Sequence, residues 1–524
     1  MSPYLLLSFV LGYFILLFVV AWYTSRNSNN DSFFIGNKNS NWKLVAFGMI
    51  GTSLSGVTFV SVPGSVGNIG KLGGMPNALG YFQVVIGYLI GYLVIAFVLL
   101  PLYYKLNLTS IYNYLKQRFG EWAYKTGASF FILSRTVGAT ARLYLVINIL
   151  HIFIMAQLNV PFWVSVAIVL LMILLYTFEG GVKTIVYTDT LQTSLMVLGL
   201  VVCVGYILYH LNYSVADAVN AMEAKGLTKI FNTDINSKGF FLKQIIGGMF
   251  ITIAMTGLDQ EMMQKNISVK NLKDSQKNML TFSVILVFVN LLFLLLGGLL
   301  YLYAYENGAA FTNSIIDNKE AWGLYHNNLN VTGDNLFPSI ALGLVNEMPA
   351  IISVIFIIGL ISALFPSADG ALTALTSSFC IDILGIKQRT DLTEKQKRSL
   401  RLTVHICMTI LFFICILIFR EINSRSIIDK ILDLAGYTYG PLLGLFAFGI
   451  LTKRSLPNNF IIALIAIISP VTCYFLQMKA PEIFNGYVIG IEILIINGLL
   501  TFLGLLIISK KANISFDING NYTS

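Results

Sequence analysis

Charge is what this sequence has least of. Its 524 residues include 25 acidic and 34 basic side chains, 11 % of the chain, where a soluble domain carries roughly a quarter. With 56 % hydrophobic residues and a mean hydropathy of +0.76, a water-soluble globule is excluded as a class. Cysteine and histidine are also scarce, at five and four. Cys203, Cys380, Cys407, Cys415 and Cys473 fall in apolar stretches with no Cys-x-x-Cys spacing. They read as small buried packing residues, and no disulfide framework is indicated. His151, His210, His326 and His405 are scattered. No metalloprotease helix, phosphate-binding glycine loop or nucleophile elbow occurs. An enzyme is not expected.

What the chain has in quantity is long apolar runs. Crossing the hydrocarbon core as a helix takes about 20 mostly apolar residues, and about thirteen runs qualify. They lie near 3–23, 42–62, 78–104, 127–157, 160–177, 184–210, 239–263, 279–304, 344–384, 402–420, 432–452, 459–478 and 485–509. Helix is the expected spanning form, because lipid cannot satisfy exposed backbone groups. The first run lacks the basic leader and small-residue cleavage site of a signal peptide, so it is read as a membrane helix. The expected fold class is an all-α polytopic membrane protein, with 1–524 as a single domain. The outer segment "NKEAWGLYHNNL" (318–329) is expected as a short amphipathic helix.

The net charge of +9 reflects where the charges lie. Segments 264–278 and 385–401 are rich in Lys and Arg, whereas 305–343 sets Glu306, Asp317, Glu320 and Asp334 against Lys319. The positive-inside rule then puts the N-terminus outside and the C-terminus in the cytoplasm of a multi-pass cell-membrane protein. The basic balance is therefore no sign of nucleic-acid binding. The lipid bilayer is the expected surrounding, and no obligate protein partner is indicated.

Two spans stand apart. Residues 46–67, "AFGMIGTSLSGVTFVSVPGSVG", are rich in glycine and hydroxyl residues, and 362–378, "SALFPSADGALTALTSS", carry Pro366, Ser367 and Asp369. Small residues do let membrane helices pack closely. That reading leaves Asp369 unexplained, because a carboxylate at mid-membrane normally faces a cavity or a partner. If the first run is set aside, these two are the first and eighth spans of a core. Two sets of five, inverted, would place an ion site between interrupted helices of opposite repeats. A third stretch, "YTFEGGVKTIVYTDTLQTS" (176–194), turns through Gly180–Gly181 and opens the next span with Thr188, Asp189 and Gln192. Positions 188 and 192 share a helical face, with 189 beside it. An acidic first turn stabilising the helix dipole is the plainer reading. The apolar residues around Asp189 argue for a place inside the bilayer.

At these residues the sequence resembles the sodium:solute symporter family, over about 1–510. "YTFEGGVKTIVYTDTLQ" is similar to the family pattern Y-[ST]-x-x-G-G-[LMV]-x-[AT]-[VI]-x-[TW]-T-D-x-x-Q, and "SALFPSADGAL" to A-A-x-M-S-T-A-D-S-x-L. "DQEMMQKNISVKNLKDSQKN" resembles the stretch closing the sixth core helix, and "GYTYGPLLGLFAFGIL" the tenth. "LLPLYYKLNLTSIYNYLKQRFG" and "VTFVSVPGSV" lean toward the iodide, multivitamin and monocarboxylate branch. The resemblance implies the five-plus-five inverted-repeat fold of the amino-acid/sodium symporters. An extra helix at 3–23 precedes repeats at 42–210 and 239–452, and two helices at 459–509 follow. It also implies Na+ as coupling ion, bound through backbone carbonyls of Gly51, Leu54 and Ala363 and two hydroxyl positions that fall on Pro366 and Ser367. Proline supplies no hydroxyl, but it frees the carbonyl near Ser362. Asp189 and Asp369 fall at a second sodium site.

Ser53, Thr58, Gln83 and Thr252 are the implied solute-binding candidates. In sugar-carrying relatives the positions of Ser53, Thr58 and Thr252 are amides, and Met255 replaces an aromatic gate, which argues against hexose. Arg135 and Arg142 lie seven residues apart on one face of the third core span. Arg135 is expected to snorkel or tie carbonyls. Arg142 is too central for that and is left to an internal carboxylate or a bound anion, which would suit a carboxylate-bearing solute. The expected function is Na+-coupled symport of a small organic solute, an anion such as a carboxylate, by alternating access. Alternatives are a sugar or sialic-acid symporter, a proton-coupled member and, from another class, a transporter-like membrane sensor.

Overall fold

Helices dominate because the apolar runs must bond their own backbone groups where no water reaches them. The computed structural model describes residues 3–25, 33–34, 36–67, 78–178, 181–316, 319–327, 329–422, 427–511, 515–516 and 522–523. Helix α1 spans Pro3–Thr24. Helix α2 is broken into α2a (Trp42–Ser53) and α2b (Gly56–Ser65), bent by 56°. Then follow α3 (Tyr81–Lys105), α4 (Glu121–Leu158), α5 (Phe162–Thr177) and α6 (Gly181–His210). Helix α7 is broken like α2, into α7a (Phe241–Gly257) and α7b (Gln260–Ile267), bent by 65°. After it come α8 (Leu272–Glu306), α9 (Ala350–Ser378), α10 (Glu394–Ile422), α11 (Ile427–Leu451), α12 (Ile461–Ile483) and α13 (Ile493–Ile508). Among the described residues, nine helices are long and apolar enough to span a bilayer and two more spans are the bent pairs; α5 and α13 are shorter. Each expected run thus holds one helix or one bent pair.

Glycines decide which helices approach most closely. A Cβ on Gly248 of α7a would lie 2.5 Å from the carbonyl oxygen of Val84 on α3, and one on Gly91 would lie 2.6 Å from that of Met249. On Gly199 of α6 it would lie 3.4 Å from the Cα of Gly359 on α9. Small residues on facing helices allow this contact without a hydrophobic drive between them. Helices α6 and α9, α3 and α7a, and α11 and α13 are the most extensive pairs. At the start of α6, Gly181 takes a positive φ of 52° and lies against the Phe33 backbone. Its neighbour Gly180 lies outside the described residues.

Two expectations are corrected. Residues 318–329 do not form a helix: the strand Lys319–His326 pairs antiparallel with Ala310–Ile316 and with Leu329–Asn330, while Asn318 and Asn328 lie outside the described residues. The segment is rich in aromatic residues, and the stretch before it contains Phe311, Thr312, Ile315 and Ile316, a composition that favours a pleated pair over one amphipathic turn. Cys407 is exposed and Cys415 partly so, so these two face outward from the bundle, whereas the other cysteines are buried. A sulfhydryl is apolar enough to tolerate either setting.

Candidate ion and solute site

The break in α2 is the first element of the site. Leu54 closes α2a with φ −89° and ψ 78°, well away from helical values, and Ser55 opens α2b in extended geometry. No backbone amide beyond the break returns to the carbonyls of residues 51–54. These oxygens are therefore open to another partner. Gly51 forms the close wall: its amide donates to Thr193 Oγ1 at 3.1 Å. A Cβ there would collide with that hydroxyl and stand 3.3 Å from Pro366 Cγ. Across the break, α9 is fully buried from Leu360 to Leu375. Pro366 faces Gly51, and the Leu364 backbone faces Gly56. Ala363 and Ser367 flank those contacts, and the Ser367 hydroxyl donates to the Leu364 carbonyl at 2.9 Å.

Asp189 and Asp369 are fully buried, yet they are held by different partners. Asp189 Oδ2 accepts from Lys265 Nζ at 2.7 Å and from Thr52 Oγ1 at 3.2 Å. Lys265 also donates to Thr52 Oγ1 at 2.6 Å and lies 3.6 Å from Glu261. Asp369 accepts from the Tyr176 hydroxyl at 2.8 Å and from the Gly370 amide at 2.5 Å. Gly370 has no room for a side chain, because a Cβ would meet Glu261 Oε1 and lie 3.1 Å from Lys265 Nζ.

Arg135 does not snorkel. It pairs with Glu261, lies 4.0 Å from Asp259 and is 4 % exposed. Two carboxylates on α7b and its cap offered it a nearer partner than the membrane surface. Asp259 caps α7b, accepting from the amides of Glu261 and Met262, and takes the Tyr439 hydroxyl at 2.7 Å. Sequence reasoning had not singled out Asp259, Glu261, Lys265, Tyr176 or Tyr439. Their signal was available: Asp259 and Glu261 fall inside the apolar run 239–263, and Lys265 is one helical turn beyond Glu261.

The solute candidates divide. Ser53, Thr58, Arg142 and Thr252 line one cavity of about 100 Å³, with Tyr81, Tyr88, Tyr92 and Thr256. Gln83 is elsewhere: it lines a second cavity of about 330 Å³ with Ser65, Lys238 and Asp433, and its amide donates to the Gly80 carbonyl at 3.1 Å. Tyr81 and Leu432 line both cavities and separate them. Arg142 is half-buried in the inner wall and has no ion-pair partner among the described residues. The tyrosines of α3 supply the aromatic surface that Met255 does not.

The sequence matches the sodium:solute symporter family over residues 33–467. The chain belongs to that family. It is a sodium-coupled solute symporter, a multi-pass membrane transporter rather than an enzyme. The symporter is 23 % identical to the sodium/sialic acid symporter of Aliivibrio fischeri over 92 % of this chain and 90 % of that one. It is 24 % identical to the sodium-coupled monocarboxylate transporter 1 of Mus musculus, over 80 % of this chain and 64 % of that one. A solved Na+-coupled sialic acid symporter, substrate-bound and outward-open, superposes with a TM-score of 0.77 at 20 % identity, covering 97 % of this chain and 99 % of that one. The symporter's fold is accordingly the inverted-repeat fold of sodium-coupled transporters.

Proposed function

We propose that the symporter carries a carboxylate-bearing solute inward with sodium, and that Arg142 binds the carboxylate. The observation behind this reading is an arginine facing a membrane-embedded cavity with no ion-pair partner among the described residues. Guanidinium and carboxylate form charge-assisted, often bidentate pairs. Ser53, Thr58, Thr252 and Thr256 give the rest of that wall hydroxyl groups, which suits a hydroxylated acid better than a plain fatty acid. Sialic acid, the solute of two relatives, is the first candidate, and short monocarboxylates are the second. Gln83 then contacts solute in the outer cavity, before binding.

In the same reading, sodium binds at carbonyls of Gly51, Leu54 and Ala363 with Ser367, and Asp189 and Asp369 serve a second ion. The repeats run over 42–210 and 239–452, with 3–23 and 459–509 outside them. The N-terminus is outside and the C-terminus cytoplasmic. In that orientation Ser65, Lys238 and Asp433 all stand on the outer side, so the larger cavity is the entry vestibule. The inner cavity is smaller than the roughly 300 Å³ at the low end of ligand sites. Tyr81 and Leu432 must therefore part for a solute to enter, and rocking of one repeat bundle against the other supplies that motion.

The test is uptake into proteoliposomes of radiolabelled sialic acid, lactate and glucose under a sodium or potassium gradient. Sodium-dependent uptake of an acid, lost about a hundredfold in Arg142→Gln and partly kept in Arg142→Lys, is the expected result. Sodium-driven glucose uptake, or acid uptake unchanged in Arg142→Gln, would overturn the reading.

A further inference from the structure

Helix α8 turns Leu286 and Asn290 to the inner cavity, and the two lie one turn apart on the same face. Asn290 stands near the middle of α8 and is fully buried. Its Nδ2 donates to the Leu286 carbonyl of its own helix at 2.8 Å. Its Oδ1 has no hydrogen-bonding partner among the described residues. Aromatic contacts before and after it in the chain fix α8 against the cavity's other walls. Phe282 meets Tyr92 of α3 edge-on at 4.9 Å, and Phe293 meets Phe59 of α2b edge-on at 5.7 Å.

A buried amide in a membrane helix normally repays its burial by bonding to a neighbouring helix. Two other asparagines do so. Asn278 donates to Asn266 Oδ1 of α7b at 2.7 Å, and Asn497 to the Gly436 and Tyr437 carbonyls of α11 at 3.0 and 2.9 Å. Each also leaves its own Oδ1 unpartnered, but its amine joins two helices. Asn290 joins none among the described residues. The carbonyl it bonds already receives the backbone amide four residues on, as in any α-helix. Leucine, a better helix former of similar size, would serve the fold there as well.

What Asn290 adds is an oxygen on the cavity wall that can only accept. The cavity hydroxyls of Ser53, Thr58, Thr252 and Thr256 can donate or accept, so they discriminate less. Arg142 reaches the cavity from α4, which packs mainly on α9, α10 and α11, whereas α8 packs on α2, α3 and α6. Guanidinium and amide therefore approach from different sides. A solute that meets both needs a carboxylate at one point and a hydrogen-bond donor at another.

We propose that Asn290 Oδ1 accepts a hydrogen bond from a hydroxyl or amide N–H of the solute, away from its carboxylate. Asn290 thereby selects acids that carry such a donor over plain ones. The proposal rests on the reading that Arg142 takes the carboxylate. A site that hydrogen-bonds a solute hydroxyl rejects the analogue lacking it, because its own polar group is left unpaired.

The experiment is calorimetric titration of the purified full-length chain in nanodiscs, in sodium, with sialic acid, butyrate and 2-, 3- and 4-hydroxybutyrate. The wild-type chain should bind sialic acid and at least one hydroxybutyrate tenfold or more tightly than butyrate. Asn290→Leu should abolish that preference and leave butyrate binding unchanged. Without ligand it should melt no lower than wild type, which a merely structural amide would not allow. Asn290→Ala serves for the titrations if Asn290→Leu does not fold. A preference kept in the folded variant, or absent from wild type, would overturn the proposal. Arg142→Gln reads the carboxylate separately and should weaken butyrate and the hydroxybutyrates alike. Acids bound equally well by Arg142→Gln would overturn the Arg142 reading and leave the Asn290 comparison standing.

Discussion

The symporter breaks two of its helices, and it treats the two breaks in opposite ways. In α2 the carbonyls of residues 51–54 take no amide from beyond the break. In α7 side chains from other helices engage the turn. The Gly257 carbonyl accepts from the Tyr103 hydroxyl at 2.7 Å and the Leu258 carbonyl from Tyr112 at 3.0 Å. Asp259 caps α7b, and Gln260 bridges the Ile111 amide and the Thr109 carbonyl. Two breaks that open matching spans of an inverted repeat have thus taken separate work. The α7 break is a joint closed by side chains, and the α2 break leaves its carbonyl oxygens open, where we propose that sodium binds.

The widest test of this contrast is the charge pair behind the α7 joint. Removing one partner of a buried ion pair costs about 3–5 kcal/mol, so Arg135→Gln should lower thermal stability in detergent sharply, with sodium present or absent. Retained stability with lost sodium binding would instead make Arg135 part of the ion site. Gly51→Ala comes next. A methyl group there strikes Thr193, and overpacking costs about 1–3 kcal/mol. Sodium-driven uptake should fall about tenfold, and the double variant with Thr193→Ala should recover part of it. Failure of that recovery would mean that Gly51 matters for reasons other than its contact with Thr193.

Tyr103→Phe and Tyr112→Phe each strand a buried carbonyl at the α7 break, at about 1–3 kcal/mol. Melting temperature should drop while the sodium half-saturation constant stays put; the reverse pattern would erase the distinction between the breaks. The smallest effect is expected from Ser367→Ala. Loss of one neutral ligand worth ~1.4 kcal/mol raises sodium half-saturation about tenfold without lowering the melting temperature, as uptake across a sodium titration would show. An unchanged titration would remove Ser367 from the ion site.

Much of the site could be read from residue order, because it is built of residues that look wrong for lipid. Asp369, Asp189, the glycines of 46–67 and Arg142 each stood out against an apolar background, and the structure buries or half-buries all of them. Partnership was not legible. Lys265 lies 76 residues from Asp189 and Arg135 lies 126 from Glu261. No periodicity within one span reveals which face of another it will meet. Arg135 was misread for that reason, and the placing of Gln83 in a cavity apart from the other solute candidates was equally hidden. Residues 318–329 failed differently, because a short polar-aromatic segment takes its form from the strand beside it.

The sequence by itself determined that the chain is an ordered series of membrane helices, and where the two unusual ones lie. A span is a sum over one local stretch, and the bilayer responds to that sum alone. Only the tertiary structure decided which carboxylate meets Lys265, which arginine lines the inner cavity, and that a tyrosine of α1 stacks on Phe365 of α9. In hydrocarbon a charge must find a partner on a neighbouring helix, and the choice depends on how closely glycine and alanine let particular helix faces approach.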